Sequence, residues 1–256
     1  MCIVALGAGT LTLFSGFGLG TILLPAFAIF FPLPAAIAAT AIVHLASNLF
    51  KIALVGRHAD RFTLMRFGVP ALIASLAGAA LLVALEGAAP LATYHLGPHA
   101  CRVTIAKLVI ALVMLAFAAL ELSPRFSTLQ FDRRFLPLGG ALSGFFGGLS
   151  GHQGALRSAF LVRAGLSKEA FIGTGCVLAV MVDLARLLVY GAGTWRAHAS
   201  DSQSVGPGLL AAACLSAFVG SYVGARWITK ITIETVRRTV GVLLALVALL
   251  LGAGVI

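Results

Sequence analysis

The chain has 256 residues, of which 60% are hydrophobic and only 10% are charged, and its mean hydropathy is +1.06. This composition excludes an ordinary water-soluble domain, in which about a quarter of the residues are charged, and it predicts an integral membrane protein. The formal net charge of +10 points to basic cytoplasmic loops and to anionic solutes rather than to nucleic acid, because the sequence offers no basic face to a duplex.

The chain is predicted to be an all-α polytopic membrane protein. Its first apolar segment, 3–31, is interrupted by glycine. As a straight helix it would be about 43 Å long, well beyond a hydrocarbon core of about 30 Å. Single spans are predicted at 33–50, 67–85 and 104–120. A basic linker at 123–134, expected in the cytoplasm, separates a first membrane repeat (1–122) from a second (135–256).

The second half repeats the order of features of the first. Segment 135–163 is again long and interrupted by glycine. Single spans follow at 169–190, 207–227 and 235–256. The stretch "SGFGLGTILLP" from Ser15 matches "SGFFGGLSGHQ" from Ser143, and Thr40 then matches Thr174 if six residues are inserted in the second copy. This order predicts an internal duplication, in which each half is a glycine-broken segment followed by three transmembrane helices.

The distribution of lysine and arginine indicates how segment 135–163 lies. If it crossed the membrane fully, the loops on the two faces would hold eight basic residues each. If it dips in and returns, the split becomes thirteen against three, with only Arg102, Lys107 and Arg196 outside. The positive-inside rule favours the second arrangement. We therefore expect re-entrant hairpins at 135–163 and, through the repeat, at 3–31, with inverted halves and both termini outside.

The glycine-rich breaks are predicted to form an anion-binding site. Broken backbone inside a membrane is tolerated only where it lines a protein-walled or wet cavity. The arm after a break begins with free N–H donors and the positive end of a helix dipole, and two breaks that meet would direct two such ends at one cavity. Arg157, in the second break, has a planar guanidinium that suits an oxyanion. The alternative is that Arg157 only pairs with Asp183.

The candidate residues fall into two groups. Those expected to bind substrate are Arg157, His152, Gln153, Gly18, Gly20, Thr21 and Ser150. Those expected to line the pathway are Thr40, His44, Ser47, Asn48, Lys51, Thr174, Asp183 and Arg186. Four of the pathway residues share one narrow helical face, which would line a cavity or hydrogen-bond to another helix.

Each of these assignments has an alternative. His152 and Gln153 could cap a broken helix instead of binding an anion. Asp183 and Arg186, three residues apart on one helix, could neutralise each other. His44 could carry a coupling proton. The four cysteines, which include no Cys-x-x-Cys pair, argue against a thiol-electron carrier or a metal site, so no metal and no cofactor are expected.

The sequence resembles the sulfite exporter TauE/SafE family, also called the toluene-sulfonate uptake permease family. The resemblance covers most of the chain and rests on "GFGLGTILLP", on its counterpart "GFFGGLSGHQGALRSAFL" and on the duplicated layout. It implies a multi-pass carrier of the bacterial inner membrane, with both termini in the periplasm, for sulfite, organosulfonates or related anions. This chain has Arg157-Ser158 where Leu24-Pro25 stands in its first copy, and a buried arginine there could favour a larger or more highly charged anion.

Two other functions compete with a carrier that works by alternating access. A small-anion channel would use the same cavity physics. An intramembrane serine protease would resemble the rhomboid type, because His44-x-x-x-Asn48 precedes the Gly-x-Ser-x pattern at Ser150. Such a protease needs a histidine on a later span, and after His152 only His198 follows, in a polar loop. We therefore expect no enzyme.

The expected partners are a small anionic substrate and membrane lipid, and nucleic acid is not expected. Coupling to a proton or a sodium ion, and assembly as a homo-oligomer, are left open by the sequence.

Overall fold

The computed structural model describes residues 1–15, 19–97, 99–127, 130–197, 205–227 and 233–256. Its elements, in chain order, are α1 (Cys2–Ser15), α2 (Leu19–Ala28), α3 (Leu33–Val55), α4 (Arg61–Thr63), α5 (Val69–Glu86), β1 (Ala92–Leu96), β2 (His99–Val103), α6 (Ile105–Leu122), α7 (Pro124–Ser127), α8 (Leu136–Ser150), α9 (Gly154–Leu161), α10 (Lys168–Ala197), α11 (Pro207–Trp227) and α12 (Ile233–Gly252). A π-helical stretch, Leu64–Gly68, joins α4 to α5.

Helices occupy all six predicted single spans. Within the described residues, four helical runs are long and apolar enough to cross a membrane by length and composition: Leu33–His58, Arg61–Glu86, Ile105–Leu122 and Lys168–Ala192. The last two predicted spans are α11, of 21 residues, and α12, of 20 residues. The chain is thus a predominantly α-helical polytopic membrane protein, as predicted.

The second long segment doubles back on itself, as predicted. α8 ends where Gly151 takes a positive φ of 82°, a conformation that suits glycine because it has no Cβ. The end of α9 then lies beside the start of α8. Phe160 stacks on Phe131 with ring centroids 4.2 Å apart, and Arg163 Nε donates to Gln130 Oε1 at 2.9 Å. The loops before α8 and after α9 therefore share one face of the protein.

The first long segment contains two described helices, α1 ending at Ser15 and α2 beginning at Leu19. Residues 16–18 between them lie outside the described residues. The helices that follow, α3 and α10, begin at 33 and 168, which are 135 residues apart. The predicted match of Ser15 with Ser143, with its six-residue insertion, stays a prediction.

Most glycines of α8 serve packing and do not form the break. Gly140, Gly144 and Gly148 recur every four residues. A methyl group on any of them would overlap a backbone carbonyl of α5 or of the π-helical stretch before it. Small residues at this spacing let two helix backbones approach closely. Only Gly151, after this stripe, makes the turn.

Helices of the two halves pack on each other in matching pairs. α5 packs on α8 and α11 packs on α1, while α3 packs on α10 and α6 on α12. Exchanging the halves leaves this set of pairs unchanged, as a duplicated chain requires. α3 and α10 run antiparallel, because His44 contacts Asp183, whereas Val55, later in α3, lies against Gly173, earlier in α10. Inverted halves require this arrangement; their orientation in a membrane stays a prediction.

The loop between α5 and α6 contains a β-hairpin that the all-helical prediction missed. β1 and β2 pair antiparallel, and the β-branched and aromatic Thr93 and Tyr94 favour a strand. Tyr94 Oη donates to the Ala253 carbonyl at 2.5 Å, and the Arg102 N–H donates to the Gly254 carbonyl at 3.1 Å. This hairpin therefore lies on the same face as the C-terminal end of α12.

Candidate functional site

The first turn of the described part of α2 meets the second break inside the protein. A methyl group on Gly20, in the first turn of α2, would lie 3.5 Å from the Gly151 carbonyl oxygen and 3.7 Å from Cδ2 of His44. Gly20 is buried, and Thr21 beside it is half-buried. Gly18 lies outside the described residues. The junction therefore contains backbone from both halves and one side chain of α3.

Asp183 is the centre of the polar network at this junction, and it is fully buried. Its Oδ2 is 2.6 Å from His44 Nδ1. Its Oδ1 accepts from Gln153 Nε2 at 3.3 Å and from Arg186 Nε and Nη2 at 3.1 and 2.8 Å. An ionised carboxylate only accepts hydrogen bonds, so Nδ1 of His44 carries its proton toward Asp183. The carboxylate thus connects α3, α10 and the second break.

Arg186 presents an unused donor to the break. The side chain is fully buried, and its Nη1 has no hydrogen-bond partner in the described part of the chain. A methyl group on Gly151 would lie only 2.7 Å from Nη1, so the donor faces the turn of the second break. A buried guanidinium N–H without an acceptor is costly. This position therefore suits an acceptor supplied from outside the chain.

His152 supplies a second unpartnered nitrogen. Its Nδ1 donates to Ser150 Oγ at 2.9 Å, and that hydroxyl donates to the Phe146 carbonyl at 3.1 Å. The imidazole stacks on Phe117 with ring centroids 5.4 Å apart. Its Nε2 has no partner among the described residues, and the ring is close enough to Arg186 to interact with it electrostatically. The break is thus fixed by its own side chains while Nε2 stays available.

Gln153 joins Arg157 to Asp183. Its Oε1 accepts from Arg157 Nη1 at 3.1 Å while its amide nitrogen donates to Asp183. Its backbone carbonyl accepts from Ser143 Oγ at 2.8 Å, which ties the break to α8. The direct ion pair with Asp183 is made by Arg186, and Arg157 reaches the carboxylate through Gln153. Arg157 is itself buried, with 3% of its surface exposed.

A further basic group lies farther along α3. Lys51 comes seven residues after His44, about 10 Å along the helix axis. It is buried and interacts electrostatically with Arg157 and with the Cys176 thiol. Within the described residues Lys51 takes part in no ion pair. A basic path thus extends from the junction of the breaks toward the end of α3.

The polar face of α3 points into the protein. Thr40, Ser47 and Asn48 are buried together with His44. Asn48 Nδ2 donates to the His44 carbonyl at 2.8 Å, while the hydroxyls of Thr40 and Ser47 have no partner among the residues that the structure describes. Two hydroxyls on this face therefore remain available for a solute.

Two residues have roles that the sequence did not suggest. Thr174 Oγ1 accepts from the Asp60 N–H at 2.8 Å, so it holds the loop between α3 and α4 as well as lying in α10. Tyr190 donates to the Gly148 carbonyl and so anchors α10 to the last turn of α8. Its position one helical turn after Arg186 was the signal that could have identified it.

The groups left without a partner at this junction can bind an anion. They are a guanidinium N–H, two hydroxyls and His152 Nε2, which accepts when Nδ1 carries the proton. His44 contacts Asp183, and Ser150 donates to its own helix. No group of three or more His, Cys, Asp or Glu that could hold a metal ion occurs among the described residues.

A comparison with protein families matches nearly the whole chain. The model of the family described as sulfite exporter TauE/SafE matches residues 1–251. No curated protein and no solved structure gives a match.

Proposed function

Because the chain belongs to the sulfite exporter TauE/SafE family of membrane transporters, we propose that it is a secondary transporter that moves sulfur-containing oxyanions, such as sulfite or organosulfonates, by alternating access. The observation that carries the proposal is the meeting of Gly20 and Gly151 beside the unpartnered Nη1 of Arg186. A transporter of the bacterial inner membrane with both termini in the periplasm is part of the same proposal.

In this proposal the oxyanion binds where the breaks meet. Arg186 Nη1 donates to its oxygens while the neutral His152 ring lies beside it, and the starts of α2 and α9 add backbone N–H groups and favourable helix dipoles. The substrate-binding set includes, besides Arg186, Arg157, His152, Gln153, Gly18, Gly20, Thr21 and Ser150. The pathway set is Thr40, His44, Ser47, Asn48, Lys51, Thr174 and Asp183. The guanidinium is preorganised for a planar, two-point contact because Asp183 already fixes its other edge.

Alternating access is supported by the matching helix pairs and by the antiparallel packing of α3 on α10. In carriers built from inverted repeats, one half rocks against the other around a central site. Here the His44–Asp183 hydrogen bond crosses between the halves, so a motion of one half against the other would change it. A proton or a sodium ion could couple to this step, and the halves would then be 1–122 and 135–256.

Transport in reconstituted vesicles tests the proposal. Purified protein in proteoliposomes should take up labelled sulfite or a short sulfonate from a panel that also contains sulfate and thiosulfate. Uptake should saturate and should accelerate when the vesicles are preloaded with unlabelled substrate, which is the behaviour of a carrier. Flux that rises linearly with concentration would indicate a channel instead. Absence of flux for every sulfur oxyanion, with correctly folded protein, would contradict the proposed function. Imposed pH and sodium gradients identify the coupling ion.

A further inference from the structure

We infer that the site binds its substrate as a dianion and so selects doubly charged oxyanions over singly charged sulfonates. The inference rests on the proposed function and adds the charge of the substrate to it. It comes from counting the charges that the fold buries around the breaks.

Three basic side chains are buried there. The exposed fractions are 6% for Lys51, 3% for Arg157 and 0% for Arg186. They form one connected set, because Lys51 interacts electrostatically with Arg157, and Gln153 joins Arg157 to Asp183, which also binds Arg186.

Only one buried carboxylate faces these three cations. Among the residues that the structure describes, the buried carboxylates are Asp183 and Glu121. Glu121 lies on α6 and accepts from Arg237 Nε of α12 at 3.0 Å, so it is already paired elsewhere. With neutral histidines, three positive charges and one negative charge leave a net charge of +2 at the junction.

An uncompensated charge in the interior of a membrane protein is expensive and normally finds a partner. A sulfonate would neutralise one of the two surplus charges, whereas sulfite, sulfate or thiosulfate in the fully deprotonated form would neutralise both. Asp183 is shared between Arg186, which it binds directly, and Arg157, which it reaches through Gln153, so the surplus is not held by one residue. Arg186 offers Nη1 directly, and Lys51 forms no ion pair with a described residue.

Other titratable groups around the site would change this net charge if they gained or lost a proton. His44 and His152 would raise the positive charge if protonated, and the Cys176 thiol, beside Lys51 and Arg157, would lower it if it lost its proton. A lysine that gave up its proton would also lower it. Either loss would leave a site for a monoanion, and that outcome is measurable.

The experiment is competition in the vesicle assay at alkaline pH, where sulfite is a dianion. Labelled sulfite exchange is inhibited with unlabelled sulfite, sulfate and thiosulfate, and with methanesulfonate, which keeps the S–O head group but carries one charge. We expect the best dianion to inhibit at a concentration at least about tenfold lower than methanesulfonate, since a charge-assisted contact is worth that factor or more.

The variant Lys51→Gln removes one surplus charge. It should change the ratio of the inhibitory concentration of methanesulfonate to that of the best dianion. This ratio should fall by about tenfold. In the control Lys107→Gln, which replaces a half-buried lysine on α6, the ratio should stay as in the parent. The ratio is measured within each protein, so a partly inactive preparation does not alter it.

Equal or better inhibition by methanesulfonate in the parent protein, with sulfite exchange intact, would overturn the dianion inference and leave the proposed function standing. An unchanged ratio in Lys51→Gln would also count against it. Absence of sulfite exchange in the parent would refute the proposed function itself. If Lys51→Gln does not fold, the ratio in the parent still decides.

Discussion

Replacement of Gly151 by alanine tests whether the turn of the second break forms the anion site. Alanine at a φ of 82° is strained by about 1–2 kcal/mol. Its methyl group would also lie 2.7 Å from Arg186 Nη1, which is closer than normal contact. The guanidinium is held by two hydrogen bonds to Asp183, so it can move only by weakening them. Loss of a hydrogen bond to a charged group costs about 1.5–3 kcal/mol, or roughly ten- to hundredfold in affinity.

Gly165→Ala is the matched control for this prediction. Gly165 has a φ of 72°, and a methyl group there would meet nothing within 4 Å. Both variants should lose stability to backbone strain, and Gly151→Ala should lose more because it also weakens the hydrogen bonds between Arg186 and Asp183. Only Gly151→Ala should show the large rise in the sulfite concentration needed for half-maximal exchange. Equal transport kinetics for the two variants, at matched amounts of folded protein, would refute the placement of the anion beside Gly151 and Arg186.

Three further predictions concern packing and topology. Gly144→Ala should destabilise the protein by about 1–3 kcal/mol in thermal unfolding because it forces α8 away from α5, whereas Gly7→Ala, in α1 with nothing within 4 Å, should not; equal effects would contradict the close packing. Glu121→Gln should lower stability by about 1.5–3 kcal/mol, because it removes the charged partner of the half-buried Arg237, yet keep the substrate ratio of the parent; a changed ratio would place Glu121 at the site. A cysteine at Arg163 should react with an impermeant thiol reagent from the same side as cysteines in the 125–134 loop, and labelling from opposite sides would exclude the re-entrant second hairpin.

Much of the fold could be predicted from the sequence because apolar segments need a length that matches the membrane. Segment 135–163 is too long for one membrane-spanning helix, and its flanks are too basic for it to cross the membrane. Its two ends indeed lie together, because Arg163 contacts Gln130. The glycines were harder to interpret. Gly144 and Gly151 look alike in the sequence, yet one permits close helix packing and the other a left-handed turn, and this difference depends on the neighbouring helix.

The sequence could indicate which residues belong to the site but not how they pair. The burial of His44 and Lys51 follows from their common face on α3. That His44 would contact Asp183 depends on the antiparallel packing of α3 on α10, which no local pattern specifies. Arg157 was expected to be the main anion ligand because it is the cation inside the hairpin. The unpartnered nitrogen belongs instead to Arg186, since Gln153 accepts from Arg157.

The most direct measurement of the central claim is to locate the anion itself. Selenite has the shape and charge of sulfite and scatters X-rays anomalously, so crystals of the protein grown with selenite would show its position. The account predicts an anomalous peak within hydrogen-bond distance of Arg186 Nη1, beside Gly20 and Gly151. A peak elsewhere in the protein, with that junction empty in a protein that exchanges selenite, would contradict it.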